Sequence, residues 1–132
     1  MFAVTNYELM KLRTMEANGC TRRYPGGCPH EVGNQVPLVE EQKQGNQNPF
    51  AIAAIMSIRP STFGERRRRD SMEATRLAKA DGFESVAAWE QHFRMMYGKA
   101  GIKDETQVFR LQFNIREMDK GEAAKVNLGD MI

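Results

Sequence analysis

Apolar positions along this chain change period several times, and each period predicts an element. Residues 107 to 115, QVFRLQFNI, alternate: Phe109, Leu111, Phe113 and Ile115 fall on one side, Arg110, Gln112 and Asn114 on the other. A period of two is that of a strand with one buried face. Val86, Trp89, Phe93 and Met96 recur at helical spacing behind Ser85, a good N-cap, and ahead of Gly98, a stop signal. YELMKLRTMEA, residues 7 to 17, predicts a helix, with Gly19 beyond its end. Asp70 and Glu73 have capping-box spacing and predict a helix reaching about Lys79, closed by Asp81-Gly82-Phe83. FAIAAIMSIRP, residues 50 to 60, reads as a buried strand ended by Pro60. Phe2-Ala3-Val4 predicts a short strand. EVGNQVPLVEE, residues 31 to 41, predicts another, reached through a turn at Gly33-Asn34, with Pro37 marking an edge or a bulge. QKQGNQNP, residues 42 to 49, is a polar loop, and a turn is expected at Thr62-Phe63-Gly64.

In chain order this gives short strands, a pair of adjacent helices, then a closing strand. That order predicts an α+β fold: a small mixed or antiparallel β-barrel with a two-helix insert and an N-terminal helix. The barrel domain spans 1–118, and 119–132 form a C-terminal tail, polar, aperiodic and weakly structured by itself.

Composition adds limits. The chain has 132 residues, 41% hydrophobic and 27% charged, with a formal net charge of +2. This is an ordinary globular balance, and any surface for a polyanion must be local. No apolar run approaches the roughly 20 residues of a membrane span, and the first residues, MFAVTNYELMK, lack the basic and apolar regions of a secretion signal. A cytoplasmic location is expected. Cys20, Cys28 and His30 have no established zinc spacing, so neither metal nor cofactor is expected. The nine methionines read as core filler.

Two clusters carry candidate chemistry. Thr21-Arg22-Arg23 precedes a glycine-rich turn, and an arginine fork there suits a phosphate, a base edge or a carboxylate. The structural alternative has Arg23 bridging to a buried acid such as Asp81, with Arg22 solvated. Arg66, Arg67, Arg68 and Arg69 form the second cluster, suited to salt-sensitive phosphate contacts or, alternatively, to a solvated loop. Tyr24 and Phe63 stand nearby in sequence and could stack on a base. Trp89 and Phe93 belong to a core, and His92 to a helix surface or its packing.

Four features together resemble the ASCH domain family of the PUA-like β-barrel superfamily. They are Thr21-Arg22-Arg23; Pro25-Gly26 through Val32-Gly33-Asn34-Gln35-Val36; Ala80-Asp81-Gly82-Phe83-Glu84-Ser85 with a helix ending at Tyr97; and the strand Val108 to Ile115. The resemblance implies a barrel with a cleft beside the threonine–arginine turn, taking RNA or a nucleotide-like small molecule. One branch of the family hydrolyses acetylated cytidine, using a lysine three residues before a threonine nucleophile and a nearby acid. Thr21 and Asp81 match the threonine and the acid, but Asn18 stands at the lysine position and cannot act as a base. The resemblance therefore implies a non-catalytic RNA- or nucleotide-binding module, with Thr21, Arg22, Arg23, Tyr24 and Arg66 to Arg69 as contacts and Asp81 facing them. Two alternatives remain open. One is an amidohydrolase of an acetylated nucleoside, with Lys11 or Lys79 as the replacement base. The other is an accessory protein of a phage or mobile element that meets a protein partner through the tail and exposed methionines.

Overall fold

The structure, a computed structural model, describes residues 2–40, 49–98 and 101–117. The expected loop at 42–49, except for Pro49, and the tail 119–132 lie outside them.

Five strands form one curled, half-barrel sheet: β1 (Phe2–Val4), β2 (Gly19–Arg22), β3 (Gln35–Glu40), β4 (Pro49–Thr62) and β5 (Gln107–Glu117), in the order β1-β3-β4-β5-β2. β1 runs parallel to β3, and every other pairing is antiparallel. Helix α1 (Asn6–Arg13) joins β1 to β2. Three helices, α2 (Phe63–Arg66), α3 (Met72–Ala80) and α4 (Val86–Tyr97), fill the connection from β4 to β5. The expected α+β architecture is present, with three insert helices where the sequence predicts two. Among the described residues no helix is long and apolar enough to cross a membrane.

Local chemistry explains most boundaries. Thr5 caps α1 in a full capping box with Glu8. The helix stops at Arg13, short of the expected residue 17, because the Thr14 hydroxyl bonds back to the Met10 and Lys11 carbonyls. α3 is capped by Ser71, whose hydroxyl accepts from the Ala74 N–H, and not by Asp70. α4 starts behind Ser85 and ends at Gly98, as its pattern predicts. At Pro37 the β3–β4 register is about to slip, between Leu38 and Val39, the bulge its proline foretells.

β4 does not end at Pro60. β3 stops pairing at Ala54, so the far half of β4 has β5 on one side only, and the missing proline N–H faces no strand. β2 was not foreseen at all: the Thr-Arg-Arg cluster begins inside a strand, hydrogen-bonded to β5 from Gly19↔Gln112 to Arg22↔Phe109.

Two apolar cores result. One lies between the sheet and α1 and includes Phe2, Val4, Leu12, Leu38, Ile55, Leu111 and Phe113. The other belongs to the insert and includes Phe63, Ala78, Phe83, Trp89, Phe93 and Val108. Among the described methionines, Met10, Met15, Met56, Met72 and Met95 are exposed, and Met96, partly buried, packs against the insert core.

Candidate functional site

Where the two cores meet, four polar side chains from four elements interlock. Thr21 comes from β2, Arg66 from the end of α2, Asp81 from the C-terminus of α3 and Arg110 from β5. The Thr21 hydroxyl donates to Asp81 Oδ2 at 2.7 Å, and Arg66 Nη1 donates to that hydroxyl at 2.7 Å. Arg66 Nη2 reaches Asp81 Oδ2 at 2.9 Å, and Arg110 Nε reaches Oδ1 at 3.0 Å. All four residues are buried. Burial pushes the Arg66 guanidinium below its ordinary pKa, and the attraction of Asp81 works the other way. The Arg66 guanidinium also lies over the Trp89 ring, 4.7 Å from its centroid.

The backbone near Asp81 is pinned from both sides. Asn18 donates its N–H to the Ala80 carbonyl, its own carbonyl accepts from Phe113, and its side-chain oxygen accepts from Arg110. At Gly19 a Cβ would sit 2.2 Å from the Leu111 carbonyl oxygen, so only glycine lets β2 approach β5 this closely. Gly82 follows Asp81 with φ +94°, and a Cβ there would lie 2.8 Å from Lys11 Cβ on α1. Tyr7 donates its hydroxyl proton to the Gly82 carbonyl at 2.8 Å.

Above this cluster lies an open cleft of about 750 Å³. Arg66 and Arg110 belong to its lining; Arg59, Arg68, Glu65 and Glu73 supply the remaining charges. Four arginines against two glutamates leave it net positive. Glu73 is held below the ordinary carboxylate range by hydrogen bonds from Arg76, and it lies 3.6 Å from Arg59.

Several residues singled out in the sequence lie elsewhere. Arg22 is neither solvated nor in the cleft: it is buried in a two-pronged pair with Glu8, at 2.7 and 2.8 Å, over the Phe2 ring. Arg23 does not bridge to Asp81; that role falls to Arg66 and Arg110. Its backbone N–H donates to the Tyr97 hydroxyl. Tyr24 packs half-buried against His30 and Phe109, and burial pushes its phenol up to about 12. Phe63 is wholly buried and offers no face to a base. The arginine run divides: Arg66 is in the buried cluster, Arg67 is paired with Glu90 and Asp104, Arg68 lines the cleft, and Arg69 is exposed beside it. Lys11 is tied to Glu16, and Lys79 is exposed on α3; neither is a partner of Thr21. His92 is buried on α4, 3.4 Å from the Thr5 hydroxyl.

Arg59 and Arg110 are the residues that sequence reasoning missed. The alternation of β5 sets Arg110 on the polar face, opposite Phe109 and Leu111. The available signal was topological: a β4–β5 connection containing helices must fold back over the sheet, so a charged residue early in β5 can meet it.

No family model and no curated protein matches the chain. Solved structures do. An ASCH domain from Lactobacillus crispatus JV V101 is 16% identical, with a TM-score of 0.55 over 89% of this chain and 81% of that one. An ASCH protein from Zymomonas mobilis is 10% identical, with a TM-score of 0.50 over 92% and 73%. A family DUF984 protein from Enterococcus faecalis V583 is 11% identical, with a TM-score of 0.60 over 86% and 70%. At such identities the likeness speaks for architecture, and that architecture is the ASCH-type fold.

Proposed function

We propose that this chain is an ASCH-type module that binds RNA or a nucleotide, without a reaction of its own. The observation that carries this reading is the convergence of Arg59, Arg66, Arg68 and Arg110 on one open cleft, two of them held in place from beneath by Asp81. Guanidinium forks suit phosphate oxygens, and a fixed fork loses less freedom on binding than a mobile one. Contacts with an internal chain of phosphates would fall to Arg59 and Arg68 at the rim. The reading is tested with a short fluorescent single-stranded RNA titrated at two salt concentrations. Binding should weaken steeply with salt, and the double substitution Arg59→Glu with Arg68→Glu should weaken it by at least about tenfold in a folded protein. Unchanged affinity in that variant would remove the reading.

One contact favours the amidohydrolase alternative: the Thr21 hydroxyl points its proton at a carboxylate. Against it, Thr21 is only 3% exposed, and its oxygen already accepts from Arg66. Asn18, at the lysine position, is spent on Arg110. Turnover of acetylated cytidine that disappears in Thr21→Ala would reinstate the alternative.

A further inference from the structure

Three features of the cleft point to how its ligand is seated. The first is depth. Arg66 and Arg110 have side chains only 2% and 6% exposed, whereas that of Arg59 is 63% exposed. The cleft thus has a recessed cationic floor and a cationic rim. The second is an unspent donor. Arg66 Nε is, among the described residues, the only buried side-chain nitrogen or oxygen without a hydrogen-bond partner. A buried donor left unpaired is costly, so an acceptor that reaches it gains more than one arriving at a hydrated surface. The third is the nine-residue helix α3, whose N-cap Ser71 and first-turn residues Glu73 and Ala74 belong to the same lining. Of its first amides, those of Ala74 and Thr75 are used by Ser71, and those of Met72 and Glu73 have no hydrogen-bond partner among the described residues. A helix start with free N–H groups favours an anion.

We propose that the floor of this cleft is a seat for a terminal phosphate monoester, so that the ligand enters end-first. This rests on the reading of the chain as an RNA- or nucleotide-binding module and says which part of such a ligand is recognised. An internal phosphodiester carries a sugar on each side and one negative charge. It suits the exposed rim. A terminal monoester has one substituent and three free oxygens, and carries close to two charges at neutral pH. It can descend to Arg66, Arg110 and the start of α3 at once. No aromatic side chain lines the cleft, so base stacking plays no part in holding the ligand there.

The test uses seven-nucleotide RNAs of one sequence. One pair bears a 3′ fluorophore and a 5′-phosphate or 5′-hydroxyl; a second pair bears a 5′ fluorophore and a 3′-phosphate or 3′-hydroxyl. A nucleoside monophosphate serves as competitor and as ligand in thermal-shift assays. One phosphorylated end should bind at least about tenfold more tightly than its hydroxyl counterpart, and which pair responds identifies the end. The preference should grow as pH rises from 5 to 7, where the monoester takes on its second charge opposite Arg59, Arg66, Arg68 and Arg110, with Glu65, Glu73 and Asp81 the carboxyl groups around them. Arg66→Lys keeps a charge and removes the Nε donor. It should lose the end preference and retain salt-sensitive RNA binding. Should that variant misfold, Ser71→Asp, which keeps a helix cap and places a carboxylate at the start of α3, serves as the second probe and should reduce the preference. Equal affinity for phosphate and hydroxyl ends, with salt-sensitive binding intact, overturns the terminal seat and leaves the RNA reading standing. Stabilisation by the nucleoside monophosphate with no RNA binding would keep the seat and assign it to a free nucleotide. No binding of either removes both.

Discussion

The chain buries two arginine–carboxylate networks, and neighbouring residues of one strand feed them. Thr21 joins Asp81, Arg66 and Arg110; Arg22 joins Glu8. Adjacent residues of a strand face opposite ways, so β2 divides the pair between the two sides of the sheet. The Glu8–Arg22 pair is closed: Arg22 spends its other two Nη protons on the Ala3 and Thr21 carbonyls. The Asp81 cluster is open above, where its two arginines belong to a cleft. A buried arginine is thus no sign of a ligand site. The distinction lies in how far its Nη donors are spent and whether space adjoins it.

The comparison breaks most visibly in stability. Asp81→Ala leaves two buried guanidiniums without their shared acceptor and should destabilise the fold by about 3–5 kcal/mol in urea unfolding, with RNA binding lost as well. Glu8→Ala should destabilise by a similar amount, about 3–5 kcal/mol, yet the protein that remains folded should bind RNA with unchanged affinity. If both substitutions spared binding, the contrast between the networks would fail.

The rim sharpens the contrast from the other side. Arg59→Ala and Arg68→Ala should each weaken RNA binding several-fold while moving stability by no more than about 0.5 kcal/mol, as expected of exposed positions. Glu73→Gln removes a negative charge beside Arg59 and should tighten binding about threefold at low salt, an effect that fades as salt rises.

The smallest effects are those of pH. Burial alone would raise the Glu8 carboxyl; the Arg22 guanidinium outweighs it and holds the group below its ordinary value of 4.5. Its stabilisation is therefore complete above that value and is lost as pH falls through the depressed one. Glu8→Gln should flatten the acid limb of the stability curve below about pH 4.5. Burial likewise lowers the pKa of His92 from 6.5, so the folded state favours the neutral ring and loses stability as pH falls below 6.5 toward 5. His92→Gln should reduce that loss.

Much of the frame was legible because it is locally determined. The alternation of β5, the helical stripe of α4, and the Ser85 and Gly98 boundaries need only neighbouring residues. The errors share one cause, which is distant context. Pro60 can sit in a strand because β3 has already ended beside it. β2 shows no pattern of its own, since its four residues are all buried, Thr21 and Arg22 against polar partners supplied by Asp81 and Glu8. Of the candidate site, the family resemblance already grouped Thr21, Asp81, Arg66 and Arg68, but it missed Arg59 and Arg110 and drew in Arg22, which belongs to the other network. Four consecutive arginines look like one surface; a short helix ending at Arg66 buries that one beneath the cleft, leaves Arg68 exposed in its lining and turns Arg67 to Glu90 and Asp104.

β2 also fixes a time order. It is an edge strand held through β5, pairing residue 20 with residue 111, so it can dock only after the whole insert has been threaded between them. The Glu8–Arg22 pair waits on that step, because Arg22 is a residue of β2; the Asp81–Arg66 and Asp81–Arg110 pairs contain no residue of β2 and wait only for the Thr21 hydroxyl. The charges of Glu8 and Arg22 therefore stay hydrated through most of the folding reaction and lose water near its end. Substitution at Glu8 should consequently leave the refolding limb of a chevron almost untouched and steepen the loss through faster unfolding: this buried pair acts as the latch of the fold rather than its nucleus.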